Sequence, residues 1–480
     1  MADNSGTTLV RNFGAEIRKH PGQAELIPLS SGLDALTGRL ALSFSATKTL
    51  DLQYYIWHND ISGRLMMESV LHAADRGVRV RLLLDEIHGD AVEQPLRAMA
   101  DHPNIEVRLF NPFHNRSWKS LDFITRFSEA NRRMHNKALI GDNFGAIVGG
   151  RNIGDEYFEA SKDLDFGDFD VVVMGEVVTN ISKNFDLFWN SELAVPIEIT
   201  YGKGPKITLE EVRQNLLGDR IAVESSPYAE ALRETDFVQN LQERNLKTYW
   251  GPVVALSDSP KKISSEELHE SELLINQLRP HLGTAEKEVF IISPYFVPGD
   301  KGVAQIAEAV KRGVRVRILT NSLASNDVSV VHAGYKGYRK DLIKAGAELY
   351  ELKPSFQEIQ TKKKKKKMFS SRSGLHGKVY FFDRKKIFVG SMNLDPRSIY
   401  LNSEMGLVID SPDLAESLLK DAEERLDETS YRLFLDEEKN LRWKSIENAR
   451  EVIFTKEPET SWWQRFKSGF ISIFVPESML

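Results

Sequence analysis

The sequence predicts an α/β fold built from two similar halves. Three observations support this prediction: strand-like and helix-like apolar segments alternate, a hexapeptide recurs letter for letter, and a longer motif occurs twice with its gaps preserved. The hexapeptide Arg-Gly-Val-Arg-Val-Arg begins at Arg76 and again at Arg312. The motif begins at His135 and again at His376, at nearly the same offset. A whole domain is therefore duplicated, and two like halves imply a pseudo-two-fold axis with equivalent surfaces facing each other.

The first half has the pattern of a mixed β-sheet flanked by helices. Helical periodicity covers Leu33–Leu42, and a helix at about 61–76 ends where Gly77 can take the left-handed conformation after the last turn. Another helix is predicted at about 176–193. The predicted strands are Thr49–Trp57, Val78–Leu84, Ile105–Phe110, Gly145–Gly149 and Phe169–Met174. Such alternation is typical of α/β domains.

Changes of pattern along the chain predict five segments. They are an N-terminal arm (1–25), a first domain (26–200), a connector (201–270), a second domain (271–425) and a C-terminal helical tail (426–480). The connector has a looser pattern with one helix predicted at Ala229–Glu243. Two interpretations of it stay open: it packs on the first half, or it is a plain surface insert.

Composition excludes several classes of protein. With 41% hydrophobic and 28% charged residues, the chain has the balance of a globular protein. The net charge of −6 argues against a nonspecific nucleic-acid binder, so no nucleic-acid partner is expected. The absence of cysteine excludes disulfides and thiol catalysis. No window is long and apolar enough for a membrane span, and no signal peptide is visible, although a processed chain would look the same.

The duplicated motif concentrates the residues that carry chemistry. Its two copies are His135-x-Lys137-(x)4-Asp142-(x)6-Gly149-Gly150-x-Asn152 and His376-x-Lys378-(x)4-Asp383-(x)6-Gly390-Ser391-x-Asn393. Agreement at this many fixed positions is not a chance recurrence. Because neither half alone contains the full set, the functional site is predicted at the seam between the halves.

These motifs resemble those of the phospholipase D superfamily, and the resemblance covers residues 25–425 approximately. Three segments of the sequence narrow the resemblance to bacterial cardiolipin synthases, and among them to the C-type branch. These segments are Tyr54–Trp57, Gly149–Asp155 and Ser293–Asp300. The resemblance implies two tandem phospholipase D-like domains. It also implies transfer of a phosphatidyl group from phosphatidylglycerol or phosphatidylethanolamine to phosphatidylglycerol, through a phosphohistidine. Hydrolysis to phosphatidic acid stays open as the close alternative, and a nuclease is the rival from another substrate class.

The resemblance also implies roles for the motif residues. Lys137 and Lys378 would neutralise the phosphoryl oxygens, with Asn152 and Asn393 as further donors. His135 is favoured as the nucleophile, which leaves proton transfer to His376. No metal is expected, since no Asp/Glu cluster or Cys/His spacing suggests one, and no other cofactor is implied.

Further residues are nominated around this set. Glu404 matches the acid that orients one histidine in the family, and alignment of the halves nominates Asp168 for the other, with Asp170 as the runner-up. Asp142 and Asp383 belong to the candidate catalytic set by motif, although they more plausibly pin the motif loop than touch substrate. The candidate substrate-binding residues are Gly150, Ser391, Tyr55 and Tyr295.

Two segments outside the motifs suggest contact with a membrane surface. The run Lys362–Lys367 is either a solvated mobile loop or a site for anionic headgroups. In the tail, aromatic and basic residues alternate at helical spacing, which suits either a membrane interface or packing against the domain; the apolar members are Trp462, Trp463, Phe466, Phe470, Ile473 and Phe474. The implied location is peripheral, at the bacterial inner membrane, with the cytoplasmic side favoured. The oligomeric state stays open.

Overall fold

The structure is a computed structural model, and it describes residues 4–86, 92–113, 130–161, 164–202, 207–243, 245–264, 268–326, 328–354, 373–447 and 450–466. The lysine run Lys362–Lys367 and the tail residues Phe470, Ile473 and Phe474 lie outside the described residues. Among the helices of the described part, none is long and apolar enough to cross a membrane.

A nine-stranded mixed sheet forms the first half of the molecule. Its strands are β1 (Ala24–Leu29), β2 (Thr49–Tyr54), β3 (Arg79–Asp85), β4 (Ile105–Phe110), β5 (Ala138–Gly141), β6 (Gly145–Gly149), β8 (Asp170–Met174), β9 (Ala194–Pro196) and β10 (Tyr249–Gly251). The strand order is β10-β1-β8-β6-β5-β2-β3-β4-β9. Strands β2, β3 and β4 are parallel neighbours, and the remaining pairs are antiparallel.

A second sheet repeats this arrangement. Its ten strands are β11 (Val253–Ser257), β12 (Glu288–Ile292), β13 (Arg315–Asn321), β14 (Glu348–Leu352), β16 (Lys378–Phe382), β17 (Lys386–Gly390), β18 (Met405–Asp410), β19 (Ser430–Leu435), β20 (Leu441–Glu447) and β21 (Arg450–Phe454). Their order is β11-β18-β17-β16-β12-β13-β14-β19-β20-β21. From β11 to β14 the neighbours match those from β1 to β4, so the predicted duplication and mixed sheets are confirmed. Two short strands, β7 (Asp165–Gly167) and β15 (Ser373–Leu375), pair in parallel and tie the halves together.

Helices cover the sheets. They are α1 (Thr8–Ile17), α2 (Gly32–Ser45), α3 (Ile61–Asp75), α4 (Glu93–Met99), α5 (Val178–Trp189), α6 (Ile197–Tyr201), α7 (Leu209–Glu224), α8 (Pro227–Arg233), α9 (Asp236–Gln242), α10 (Lys261–Ser264), α11 (Leu274–Gly283), α12 (Gly299–Lys311), α13 (Ser329–Lys344), α14 (Pro396–Tyr400) and α15 (Pro412–Thr429). Asp60 caps α3 by accepting from the Gly63 N–H at 2.9 Å. Gly77, after α3, and Gly313, after α12, have φ of 88° and 91°, the left-handed conformation that glycine allows without steric cost.

The core has a layered arrangement because side chains alternate along the central strands. In β16, Val379 and Phe381 face a middle cluster that contains residues of both sheets, whereas Tyr380 and Phe382 face an outer cluster. In β5, Ile140 likewise faces the middle cluster. Strands buried on both faces need nearly continuous apolar sequences, which is the pattern seen here. The two sheets are therefore packed through one shared core, and the seam between the halves is rigidly defined.

The structure departs from the predictions at the connector and the tail. The predicted helix Ala229–Glu243 is two helices, α8 and α9, because the Thr235 hydroxyl accepts from the Val238 N–H and starts a new helix. Helix α7 was not predicted. The connector packs its helices on the first half while β11 joins the second sheet. The tail is not helical throughout, because β19–β21 extend the second sheet and bury Tyr431 and Leu433 at alternate positions.

Candidate active site

The two motif segments meet at the seam, and each one is hydrogen-bonded to the other half of the chain. The His135 N–H donates to the Ser403 carbonyl (2.9 Å), and the Ser403 N–H donates to the Arg133 carbonyl (3.0 Å). The His376 N–H donates to the Gly167 carbonyl (2.8 Å). Ser403 and Gly167 each directly precede one of the nominated acids. The backbone of each half therefore carries its acid to the histidine of the other half.

The histidine–acid pairs cross the seam. His135 Nδ1 lies 2.9 Å from Glu404 Oε2, and His376 Nδ1 lies 2.6 Å from Asp168 Oδ2. The structure thus brings both nominated acids to the motif histidines, and it gives each histidine an acid from the opposite half. With Nδ1 held by a carboxylate, each ring is fixed in orientation with Nε2 on the side away from its acid, and Lys378 Nζ lies 3.2 Å from Nε2 of His376.

The two motifs differ at one position, which is Gly150 in the first and Ser391 in the second. The residue at this position contacts the orienting acid, and it does so differently in each half. A Cβ on Gly150 would lie 2.2 Å from Asp168 Oδ1, so only glycine permits the close approach of this carboxylate. The Ser391 hydroxyl, by contrast, donates to Glu404 Oε2 and is fully buried. Gly150 and Ser391 thus both contact an orienting acid, and their predicted role in binding substrate stays a prediction.

Asp170, the alternative orienting acid, has another role. Its carboxylate lies 3.0 Å from Arg39 Nη1 and 3.1 Å from Arg151 Nη1, and all three side chains are buried. Arg151 Nη2 also donates to the Asp168 carbonyl at 2.7 Å. This buried cluster fixes the link between β7 and β8, which carries Asp168. Arg151 lies in a motif segment, and no role was predicted for it.

A second supporting carboxylate, Asp258, escaped the sequence analysis. Its Oδ2 accepts from the Glu404 N–H at 2.9 Å and from Lys262 Nζ at 2.8 Å, and Lys262 also donates to the Ser398 carbonyl at 2.9 Å. Burial raises the pKa of Asp258 to about 6, against the opposing effect of Lys262. Its sequence context, a polar stretch of the connector, offered no signal for this role.

The motif lysines and asparagines are buried beside the histidines. Lys137 and Lys378 each donate from Nζ to the carbonyl of their own motif histidine. The Asn152 amide donates to the Tyr157 hydroxyl at 2.9 Å. Asn393 Oδ1 is buried and has no hydrogen-bond partner among the described residues. Two ammonium groups converge here with two imidazoles, a donor set that fits a phosphoryl group.

Burial and mutual repulsion shape the electrostatics of this site. Burial lowers the pKa of His135 well below its usual value, and Lys137 and Lys378 add to this effect. The pKa of His376 is also lowered, chiefly by burial, while Asp168 opposes the shift. Burial lowers the pKa of Lys137 as well. Burial therefore favours the neutral imidazole at both histidines.

The two orienting acids, Glu404 and Asp168, have pKa values that are shifted in opposite directions. Burial raises the pKa of Glu404 to about 7, against the opposing charge of Lys137. Burial also acts to raise the pKa of Asp168, but His376, Lys378 and Arg151 together outweigh it and the net shift is downward. The anionic form is thus favoured at Asp168, whereas Glu404 takes up a proton more readily than an ordinary glutamate. The two halves of the site are electrostatically unequal.

Aromatic rings line the histidines. The Tyr55 ring meets His135 edge-on at 5.0 Å between centroids, which places this predicted residue in the site. Tyr157 and Phe166 contact His376, each at 5.2 Å, and were not predicted. Tyr295 is half-buried and its carbonyl accepts from the Ser293 hydroxyl, so its role in binding substrate stays a prediction.

The motif aspartates lie at the far ends of the motif strands. Asp142 accepts from the backbone N–H groups of Thr47, Lys48 and Thr49 at 2.7–3.1 Å. Asp383 accepts in the same way from residues 286–288. The four residues of β5 put Asp142 roughly 14 Å from the start of the strand, near the histidine. These hydrogen bonds and this position favour the loop-pinning role over a catalytic role for both aspartates.

The arrangement presents donors to a bound group. Within the described parts of the chain, no set of three or more His, Asp or Glu side chains is placed to hold a metal ion. The site combines two imidazoles with fixed orientation, two buried lysines and an aromatic lining. This set can form and break a phosphorus–nitrogen bond while stabilising the charge on phosphoryl oxygens.

Comparisons with known proteins agree with this geometry. The family model described as "Cardiolipin synthase, PLD-like domain" matches residues 42–189 and 278–426. Cardiolipin synthase C of Escherichia coli (strain K12) is 41% identical, over 96% of this chain and 97% of its own length. Cardiolipin synthase A of Pseudomonas syringae pv. syringae (strain B728a) is 27% identical over 76% of this chain and 61% of its own.

A solved structure shares the fold. The crystal structure of phosphatidylserine synthase from Haemophilus influenzae Rd KW20 matches with a TM-score of 0.56 at 13% identity, covering 96% of this chain and 98% of that chain. Two regions of this chain match the family model, and they contain the two motifs that build the site. The chain therefore belongs to the cardiolipin synthase family with phospholipase D-like domains.

Proposed function

We propose that the protein is a phosphatidyltransferase that makes cardiolipin from two phospholipids. The observation that carries this proposal is the pair of buried histidines that face one site, each held by an acid of the other half. Membership of the cardiolipin synthase family supports the choice of substrate. The donor is phosphatidylglycerol, with phosphatidylethanolamine as the alternative donor, and the acceptor is phosphatidylglycerol.

The first half-reaction transfers the phosphatidyl group to the protein. Neutral His135 attacks phosphorus through Nε2, a phosphorus–nitrogen bond forms, and the bond from phosphorus to the headgroup oxygen breaks. His376 gives its Nε2 proton to that oxygen, so glycerol leaves as the neutral alcohol when phosphatidylglycerol is the donor. Lys137 and Lys378 stabilise the charge on the phosphoryl oxygens. Burial lowers the pKa of His135 and so favours the neutral imidazole, the form that a nucleophile requires.

The second half-reaction regenerates the enzyme. A terminal hydroxyl of a second phosphatidylglycerol attacks the phosphohistidine, and His376 accepts the proton of that hydroxyl. The phosphorus–nitrogen bond breaks, a new phosphorus–oxygen bond forms, and cardiolipin is released. Water in place of the lipid alcohol would give phosphatidic acid. Because the two histidines are only 8% and 6% exposed, limited access of water supports transfer over hydrolysis.

The proposed setting is a membrane surface. The substrates are lipids, and the tail presents exposed aromatic residues at Trp462, Trp463 and Phe466. We place the protein as a peripheral enzyme of the bacterial inner membrane, acting from the cytoplasmic side.

The net charge of −6 argues against the nuclease alternative. The two catalytic domains are proposed to be residues 26–200 and 271–425, with the strands β11 and β19–β21 added to the second by their place in its sheet.

The test is a product assay with phosphatidylglycerol vesicles carrying a labelled acyl chain, in buffer with a chelator. The proposal expects labelled cardiolipin and free glycerol, and none from a His135→Ala variant. Phosphatidic acid as the main product would replace the transferase by a hydrolase. Cleavage of oligonucleotides without any lipid product would establish the nuclease alternative. A reaction that the chelator stops, and that one divalent ion restores, would contradict the donor-only mechanism.

A further inference from the structure

A basic cavity lies on the outer side of the second sheet, away from the seam. It has a volume of about 460 Å³ and is bounded by α13, β20 and residues 456–465. Strand β20 is five positions from β16, which follows His376, and this corresponds to about 24 Å at the usual spacing of strands. The residues that line the cavity are distinct from those of the active site. The known fold and the proposed reaction leave this cavity without a role.

The lining of the cavity is strongly cationic. It contains two acidic side chains, Asp341 and Glu457, and six basic ones: Lys336, Arg339, Lys340, Lys344, Lys456 and Arg465. Because Lys336, Lys340 and Lys344 are spaced four residues apart on α13, they share one face of that helix.

The two acids are already engaged with part of the basic set. Glu457 pairs with Arg339 at 2.7 Å, and Asp341 pairs with Lys344 at 3.2 Å. Lys336, Lys340, Lys456 and Arg465 have no acidic partner within salt-bridge distance among the described residues. A concave surface with four such cations is complementary to an anion.

The floor of the cavity is preorganised. Arg339 is buried and bonded to two carboxylates, Glu457 and Glu351, at 2.7 and 2.8 Å. The Trp443 indole N–H also donates to Glu351 at 2.9 Å. His332, fully buried, lies 2.8 Å from Arg339 Nη2. This network fixes α13 against β20, so the lysines project from a rigid wall.

An aromatic wedge stands beside the cavity. Trp462, Trp463 and Phe466 are 58%, 69% and 51% exposed, and the rings of Trp462 and Phe466 stack at 5.2 Å. Arg465, in the same turn, lines the cavity. Exposed tryptophans next to cations are suited to the headgroup region of a bilayer, where the rings enter the interface and the cations meet phosphates.

We propose that this cavity binds the phosphate of an anionic phospholipid in the membrane surface while the aromatic wedge enters the interface. The site is separate from catalysis and docks the enzyme on anionic bilayers. The proposal adds a lipid site to the proposed function and rests on that function only for the presence of a lipid surface. The occupant is a bilayer phospholipid; a soluble phosphate is the alternative that the test must separate.

The test compares the full-length protein with two matched triple variants in vesicle co-sedimentation. The cavity variant carries Lys336→Gln, Lys340→Gln and Lys456→Gln. The control carries Lys19→Gln, Lys183→Gln and Lys420→Gln, three exposed lysines outside the cavity with the same change of net charge. The vesicles are phosphatidylcholine with or without phosphatidylglycerol. Since each lysine near an anionic surface contributes about a fivefold effect, the cavity variant should bind phosphatidylglycerol vesicles about 100-fold more weakly.

The control variant should bind phosphatidylglycerol vesicles within about threefold of the wild type. Its three lysines lie outside the cavity, and salt screens charges that are distant from the membrane surface. Equal losses in both variants, or no loss in the cavity variant, would overturn the proposal. Far-UV circular dichroism and thermal unfolding confirm that each variant is folded.

Two further measurements separate the docking site from the proposed reaction. With detergent-dispersed phosphatidylglycerol, the cavity variant should keep the activity of the wild type; equal loss of activity there would mean that the cavity belongs to the catalytic machinery. If inorganic phosphate binds the wild type and not the cavity variant, while both bind vesicles equally, the occupant is a soluble anion and the proposal fails. Absence of any lipid product would overturn the proposed function yet leave the vesicle comparison decisive for docking.

Discussion

His135 Nδ1 and Glu404 Oε2 lie 2.9 Å apart although 269 residues separate them in the chain. The reciprocal pair, His376 and Asp168, spans 208 residues at 2.6 Å. Each motif histidine is therefore oriented by the half that did not supply it. A change in how the two halves dock would misalign both histidines together, so the shared core of the two sheets is a condition for activity.

Replacement of either motif histidine should abolish turnover. We expect His135→Ala and His376→Ala each to lower kcat on the order of 10⁴-fold or more, because nucleophile and proton donor belong to one mechanism. The double variant should be no worse than the more affected single variant. Steady-state assays on detergent-dispersed phosphatidylglycerol check this. Additive losses, or near wild-type activity of one variant, would contradict a shared site.

Asp168→Asn should act on His376 across the seam. Loss of the carboxylate removes the interaction that raises the pKa of His376, so this pKa should fall further below its ordinary value. At neutral pH a smaller fraction of His376 is then protonated, and kcat should drop about 10²–10⁴-fold. Histidine titration by NMR measures the shift. Glu404→Gln is the matched control, since it should alter the titration of His135. Movement of the His135 signal in Asp168→Asn, with His376 unchanged, would contradict the crossed pairing.

Gly150→Ala should displace the Asp168 carboxylate, because the new Cβ would lie 2.2 Å from Oδ1. We expect about a 10²-fold loss of kcat, through misorientation of His376. Ser391→Ala, at the equivalent position, removes one hydrogen bond to Glu404 and should cost about tenfold. Kinetics together with thermal unfolding of both variants separate a local effect from loss of fold. A larger defect in Ser391→Ala would show that this asymmetry has been assigned the wrong way round.

Asp395 should make the free energy of unfolding depend on pH. Its buried carboxyl accepts from the Ser398 N–H at 2.7 Å, and burial raises its pKa from 3.8 to about 7. A raised folded-state pKa means that the neutral form is favoured by folding, so this contribution is present below about pH 4 and lost as the pH rises through about 7.

Asp395→Asn keeps the cap and cannot ionise. From pH 4 to pH 8 the variant should therefore gain about 2–4 kcal/mol of stability relative to the wild type. Urea unfolding at a series of pH values measures this difference. A constant difference between the two proteins at all pH values would refute the assignment.

Five strands of the first sheet, β2, β3, β4, β6 and β8, were predicted from the sequence, because their apolar patterns are local. The turn glycine Gly77 was predicted after its helix, and Gly313 holds the same place in the repeated hexapeptide. The strands β19–β21 were missed, since their sequence is charged on the exposed positions and they pair only as an extension of an existing sheet. A sheet edge provides partners that no local pattern encodes.

The residues of the candidate site also fall into those that the sequence predicted and those that it did not. The repeated His-Lys-Asn sets and the nominated acids Glu404 and Asp168 were visible, because the duplication supplies an internal alignment of the two halves. The roles of Arg151 and Asp258 were not, since a buried ion pair gives no local signal in a sequence.

The sequence by itself determined that two equivalent motifs build one site, since neither half contains the complete set of donors and nucleophiles. Only the tertiary structure decided that Glu404 serves His135 and that Asp168 serves His376. It also decided that Ser391 and Gly150 contact the orienting acids and that the lysines of α13 gather at a cavity. The physical reason is the separation along the chain of the residues that make each contact. A motif is held by its own hairpin, whereas the partner of each histidine depends on how two buried sheets pack across the seam, a contact fixed by the complementary shape of the whole core.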